Sequence, residues 1–216
     1  MATINTSFPD FFAGAALVLS NSREQPEIAA SLDVFGYDAV VIQTGQALLD
    51  TARGLYDAQI KEYGEQHAAT QTFLEASAQA DKAYAAHRRL ARIAFKSDPQ
   101  RGTDLHLNDR KPRAFNPWYE QARHFYSALL ADTAAQTQLA RYKITPEKIQ
   151  SAQALVEETF ALNSAQEAGK GESQDATQQR NTAIKALDEW LGDFRVVARI
   201  ALADTPQLLE ALFPGG

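Results

Sequence analysis

The chain of 216 residues contains no cysteine. Disulfides, thiolate nucleophiles and Cys-ligated zinc are therefore excluded together, and the composition fits a reducing compartment. Long apolar runs are also missing. The best candidate, residues 11–19 (FFAGAALVL), is too short to span a bilayer. No Lys or Arg precedes it, and the first basic residue is Arg23, so the positive flank of a signal peptide is absent. Positive charge is in deficit overall: 21 Lys and Arg stand against 27 Asp and Glu, for a net charge of -6. Such a chain has no general attraction to nucleic acid or anionic lipid. These absences predict a cytoplasmic protein with neither membrane nor nucleic acid as partner.

The signatures of common chemistries are missing as well. None of the four histidines has Glu three residues before it; the residues in that place are Gly64, Tyr84, Thr103 and Gln121. The Glu-x-x-His pairs of a ferritin-like diiron bundle are thus absent. There is no Gly-x-Gly-x-x-Gly, no Gly-rich phosphate loop ending in Lys-Ser/Thr, no His-Glu-x-x-His and no Gly-x-Ser-x-Gly elbow. No catalytic residue, metal ligand or cofactor is assigned, and the chain is not expected to be an enzyme.

What is present is a repeat. Leu90-Ala91-Arg92-Ile93-Ala94-Phe95 returns as Val197-Ala198-Arg199-Ile200-Ala201-Leu202, 107 residues later. The same offset runs without a gap along most of the chain. Phe8, Phe11, Phe12, Ala15, Val18 and Leu19 align with Phe115, Trp118, Tyr119, Ala122, Phe125 and Tyr126, each set marking one apolar face of a short helix. Leu32 and Phe35 align with Leu139 and Tyr142, and Ile42, Gln46 and Leu48 with Ile149, Gln153 and Leu155. Between residues 35 and 100 about a third of positions match their partners, against roughly a tenth by chance in so Ala-rich a chain.

The repeat sets the expected architecture: an all-α, internally duplicated helical bundle. Residues 1–100 form the first repeat, 101–114 a linker and 115–216 the second, the two merging into one domain. Thr145, Pro146 and Glu147 carry the cap, the first-turn proline and the acidic start of a helix. No proline lies between Pro26 and Pro99, or between Pro146 and Pro206. Each interval is one very long helix or a hairpin of two. Gly169 and Gly171 together cost a helix interior roughly 2 kcal/mol, so a hairpin is favoured, turning near Gly64 and Gly171. Three helices per repeat and a four-helix core of long antiparallel helices result, with Gln59 facing Thr70 and Gln166 facing Thr177. The rival is a continuous helix of about 60 residues whose small-residue seam packs on a partner helix, as in a coiled coil.

One polar stripe recurs. Asp81, Ala85, Arg88 and Arg92 return as Asp188, Gly192, Arg195 and Arg199, along one side of a helix, with Ile93 and Ile200 assigned to the core. The four arginines, Arg88, Arg92, Arg195 and Arg199, are the candidate anion-binding residues, because guanidinium forks match carboxylate and phosphate. The favoured reading of the stripe is a structural ion-pair network with acids on the neighbouring helices, such as Asp50 and Glu157, aided by arginine at a helix C-terminal end. The basic linker segment Asn108-Asp109-Arg110-Lys111-Pro112-Arg113 reads as solvated loop, and Trp118, Tyr119, Phe125, Tyr126, Trp190 and Phe194 read as core.

The ending Leu187-Asp188-Glu189-Trp190, Asp193-Phe194, Ala198 to Leu202 and Pro206-Gln207-Leu208-Leu209-Glu210, with Gln121-Ala122-Arg123 and Tyr142-Lys143-Ile144-Thr145, resembles a group of bacterial all-helical proteins with no assigned activity. The resemblance implies a bacterial, cytoplasmic, helical protein and transfers no site. Two functions are expected from the residues: protein–protein interaction or self-assembly through small-residue helical surfaces, with a homo-oligomer or another protein as partner, or else small-anion binding by the four arginines.

Overall fold

A computed structural model describes residues 7–214. Met1 to Thr6, Gly215 and Gly216, and with them the start of the N-terminal segment and the Gly-Gly tail, lie outside the described residues. The described residues form eight α-helices and no strand: α1 Phe8–Glu24, α2 Pro26–Asp33, α3 Ala39–Ala94, α4 Pro99–Asp104, α5 Phe115–Ala131, α6 Thr133–Ala140, α7 Pro146–Ala201 and α8 Pro206–Leu212. The fold is all-α. None of these helices is long and apolar enough to cross a membrane.

Local chemistry fixes the helix ends. Asp38 Oδ1 accepts from the backbone N–H groups of Val40 and Val41 and so caps α3. Thr145 Oγ1 accepts from Lys148 N at the start of α7, where Pro146 occupies the first position. Asp98 and Asp132 cap α4 and α6 in the same way. Between α2 and α3 the chain turns through Gly36 at φ 81°, and between α6 and α7 through Lys143 at φ 61°. Each is followed by a residue whose N–H reaches back five positions, Tyr37 to Leu32 and Ile144 to Leu139, the pattern of a Schellman helix end.

The hairpin expectation is overturned. Both α3 and α7 run 56 residues without interruption, through Gly64 in one and through Gly169 and Gly171 in the other. Nothing approaches within 4 Å of where a Cβ would stand on any of the three glycines. They weaken their helices without ending them. The cross-hairpin partners expected for the glutamines differ accordingly. Gln166 Nε2 donates to Thr70 Oγ1 on the other long helix at 3.3 Å, and Gln59 Oε1 accepts from Arg180 of α7 at 2.9 Å.

The described residues divide into two compact units, one taking the chain through Tyr63 and again from Glu172 onward, the other Gly64–Gly171. These are not the stretches 1–100 and 115–216. Each unit has its own core. In the first, Phe12, Leu19, Ile28, Leu32, Leu49, Leu187, Leu191, Phe194 and Leu202 are buried together, from α1, α2, the start of α3 and the end of α7. In the second, Tyr84, Phe95, Trp118, Phe125, Tyr126, Leu139, Ile149 and Val156 form the core, from the end of α3, α5, α6 and the start of α7. The aromatic residues assigned to the core are mostly buried; the isoleucines of the repeated word are not. Ile93 and Ile200 are 59% and 57% exposed, whereas Ala91 and Ala198 are fully buried. The helix turns its alanines to the core because they permit close approach of a neighbouring helix.

One close approach in the first unit is specific. A Cβ on Gly45 would stand 2.7 Å from Trp190 Cζ2, and Trp190 is locked in place, stacked on Phe194 at 5.3 Å and against Tyr37 at 5.9 Å. The corresponding pair 107 residues away along the offset is Ala152 with Ala83, where no large ring demands the space. Gly45→Ala is expected to destabilise by about 1–3 kcal/mol through overpacking, despite alanine's better helix propensity. Ala152→Gly in the other unit should cost only about 1 kcal/mol; thermal melts of the two variants check the contrast.

Candidate functional site

The stripe of arginines lies on the last turns of α3 and α7, and the two pairs meet different surroundings. Arg88 is buried, at 5% exposure. Its Nη2 faces the backbone carbonyls of His106 (2.7 Å), Leu107 (3.3 Å) and Asp109. Its guanidinium lies 5.9 Å from the centre of the Tyr84 ring. Arg92 Nε donates to Leu107 O. Both arginines are thus committed to the loop 105–113 that follows α4. Ion pairing with acids on neighbouring helices is not how the stripe is held: Asp50 accepts from Gln46, and Glu157 from the Tyr119 hydroxyl at 2.7 Å. A buried cation needs compensating polar groups; three carbonyls at Nη2 and the Tyr84 ring supply them here, while Arg88 Nε is buried without a partner among the described residues.

Asp81 belongs to the same arrangement. Its carboxylate accepts from Lys111 Nζ at 2.7 and 2.8 Å and from Trp118 Nε1 at 2.9 Å. The loop is therefore fastened to α3 at three points: Arg88, Arg92 and Asp81. Asp188, the counterpart of Asp81 in the repeat, has Phe11 in place of Trp118 and no indole N–H to receive.

Arg195 and Arg199 are exposed, and neither has a hydrogen-bond or ion-pair partner among the described residues. They line a groove of about 540 Å³ in the first unit together with Gly14, Leu17 and Val18 of α1, Leu209 and Glu210 of α8, Phe213 and Pro214. Gly14 leaves the wall open, with nothing near its missing Cβ. The groove has an apolar floor and two guanidinium groups at its edge. Glu210 is the one acid lining it, and it forms no ion pair with either arginine. Leu17 is half exposed there, and Val196 and Ile200, on the adjoining stripe of α7, are exposed as well. Among the described residues no group of three or more His, Asp or Glu side chains stands close enough to hold a metal ion.

The sequence singled out four arginines but not the difference in their surroundings. Nothing in the repeated word shows that one copy is followed by a loop able to wrap back over it. His106, Leu107 and Asp109 do so, and within the basic segment 108–113, read as solvated linker, Lys111 reaches Asp81.

A further polar group sits within the second core. His87 Nδ1 lies 3.2 Å from the Tyr126 hydroxyl, and the two rings meet edge to face. Burial, with a smaller effect from Lys148, holds the His87 pKa below the ordinary 6.5, and burial raises that of Tyr126. Since folding favours the neutral imidazole, the unfolded chain takes up the proton first. Stability from this group is full above about pH 6.5 and falls as pH drops through that value toward the lower folded-state pKa. Urea melts at pH 7.5 and 5.5 should show a loss for the wild type that His87→Gln reduces.

Arg88→Ala is expected to cost about 3 kcal/mol, since it removes charge-assisted bonds to several carbonyls, and to speed amide exchange across 105–110. Arg195→Ala should change stability by less than about 0.5 kcal/mol. Equal losses for the two variants would contradict this division of roles; hydrogen exchange with thermal melts decides it.

Compared with known proteins, the chain matches no family, no curated protein and no solved structure.

Proposed function

We propose that the chain is a non-enzymatic, cytoplasmic interaction protein, an internally duplicated helical bundle that receives an acidic amphipathic helix in the groove of its first unit. One observation carries the reading. Arg195 and Arg199 are exposed and uncommitted beside an apolar floor, whereas their counterparts Arg88 and Arg92 are engaged by a loop of the chain itself. Uncommitted guanidiniums beside leucine, valine and phenylalanine complement a partner that carries carboxylates along one edge of an apolar face. Exposed Val196 and Ile200 extend the apolar surface beyond what a small anion would cover, which favours a protein partner over a free anion.

Duplication is supported by matched elements. Helices α1 and α5 have 17 residues each, α2 and α6 have 8 each, and α3 and α7 have 56 each, and the first three pairs of helix starts (8 and 115, 26 and 133, 39 and 146) keep the 107-residue offset. The bundle reading rests on two cores, each enclosed by a half of α3, a half of α7 and short helices. The acidic helix belongs either to a second copy, whose net charge of -6 suits it, or to a different protein.

Fluorescence anisotropy with a synthetic amphipathic helix bearing glutamates and leucines tests the groove. The expected result is saturable binding, weakened by salt and reduced about tenfold or more by Arg195→Ala with Arg199→Ala. Charge reversal at both arginines should transfer the preference to a lysine-bearing peptide. Equal binding by wild type and the double variant contradicts the reading, and so does inorganic phosphate binding at the arginines with no peptide binding. Sedimentation velocity separates the two sources: a dimer abolished by Arg195→Glu with Arg199→Glu identifies a second copy, and a persistent monomer that binds the peptide identifies another protein.

A further inference from the structure

The second unit holds a hollow that the interaction groove does not use. It measures about 420 Å³ and is lined by Phe73, Ser77 and Asp81 of α3, Lys111, Pro112 and Arg113 of the loop, and Phe115 and Trp118 of α5. Its aromatic wall is ordered by ring contacts: Phe73 meets Phe115 edge-on at 5.2 Å, and Phe115 leans on Trp118 at 5.9 Å. A second hollow of about 330 Å³, lined by Arg110, Lys111, Pro112 and Arg113, shares three of those residues. An aromatic compartment thus adjoins a cationic one.

The cations are available. Arg110 and Arg113 are exposed and have no ion-pair or hydrogen-bond partner among the described residues. Lys111 is paired with Asp81, which neutralises that carboxylate. The loop carrying them is held by buried Arg88, by Arg92 and by the Lys111–Asp81 pair, so the two guanidiniums are presented on a fixed backbone and little ordering remains to be done on binding.

The offset position in the first unit shows that the hollow is not an unavoidable product of the fold. There Arg180 replaces Phe73 and lies over the Phe8 ring at 5.1 Å, and buried Ile184 replaces Ser77. The space left in the second unit follows from Phe73, Ser77 and the loop. Ser77 Oγ is buried without a partner among the described residues, at a cost of roughly 1–3 kcal/mol for a hydroxyl left unsatisfied.

We propose that this double hollow binds a nucleoside monophosphate, with the planar base against Phe73, Phe115 and Trp118 and the phosphate on Arg110 and Arg113. Base–aromatic stacking serves the ring, and planar guanidiniums serve the phosphate. Asp81 Oδ2, engaged by Lys111 alone, retains capacity for an exocyclic amine of the base. A rotamer change turns the Ser77 hydroxyl toward a ring nitrogen. The site is independent of the Arg195 and Arg199 groove, which lies in the other unit.

Isothermal titration calorimetry tests the site, with adenosine 5′-monophosphate, adenosine, inorganic phosphate and a single-stranded oligonucleotide as probes and the full chain as receptor. The monophosphate is expected to bind saturably at one site, with adenosine and phosphate each at least about tenfold weaker. Arg110→Ala with Arg113→Ala should weaken the monophosphate at least about tenfold while leaving adenosine unchanged. Ser77→Ile, which installs the residue found at the offset position, should abolish both while circular dichroism and the melting temperature stay near wild type. Should Ser77→Ile unfold the chain, the exposed arginine variants still decide. Absence of monophosphate binding, binding indifferent to the two arginines, or binding of the oligonucleotide alone would overturn the proposal.

Discussion

Helix continuity is the constraint on which the other features depend. A 56-residue helix cannot fold back on itself to cover its own apolar stripe, so each half of α3 must find its cover elsewhere, and so must each half of α7. The pairings that result are reciprocal. The start of α3 packs with the end of α7, as Gly45 and Trp190 record, and the end of α3 packs with the start of α7, as Thr70 and Gln166 record. Gly64, Gly169 and Gly171, near the middles of the long helices, cost about 1 kcal/mol each relative to alanine. Burial of Leu49, Tyr84, Ile149, Val156, Leu187 and Phe194 along the same two helices outweighs that, at about 1.5–3 kcal/mol for each large apolar side chain.

The same constraint gives equivalent residues unequal roles. Arg88 and Arg195 occupy equivalent places near the ends of the long helices. After α4 the chain continues into a loop whose carbonyls close over Arg88 and Arg92. The groove at Arg195 and Arg199 has no such cover among the described residues. One pair consequently organises backbone and the other is left exposed. In the second unit the organised loop in turn presents Arg110 and Arg113 beside an aromatic hollow, so the buried arginine fixes the backbone that carries them.

Much of the helix pattern was legible because its signals are local. Pro26, Pro99, Pro146 and Pro206 each open a helix, Asp38, Asp98, Asp132 and Thr145 cap one, and the spacing of Phe8, Phe12, Ala15 and Leu19 marks a buried face. The hairpin was misread because glycine propensity is a weak local term that tertiary cover overrides. Ile93 and Ile200 were misplaced for a related reason: hydrophobicity favours isoleucine for the core, but close helix approach favours the alanines two positions earlier. The carbonyl cradle around Arg88 was not legible, since backbone acceptors carry no residue identity. Of the candidate site, the arginines could be named from sequence, whereas their sorting into committed and open depended on where a loop of ordinary composition runs.

The absence of cysteine makes the central claim directly testable. With no native thiol to interfere, paired cysteines report which helical segments meet. A short bismaleimide should link Thr70→Cys to Gln166→Cys within one chain, efficiently and without loss of helicity, and should fail to link Gln166→Cys to Thr177→Cys across an imagined turn. Efficient linkage of the second pair and none of the first would show that α7 folds back at Gly171, and would contradict the reciprocal packing of two unbroken helices.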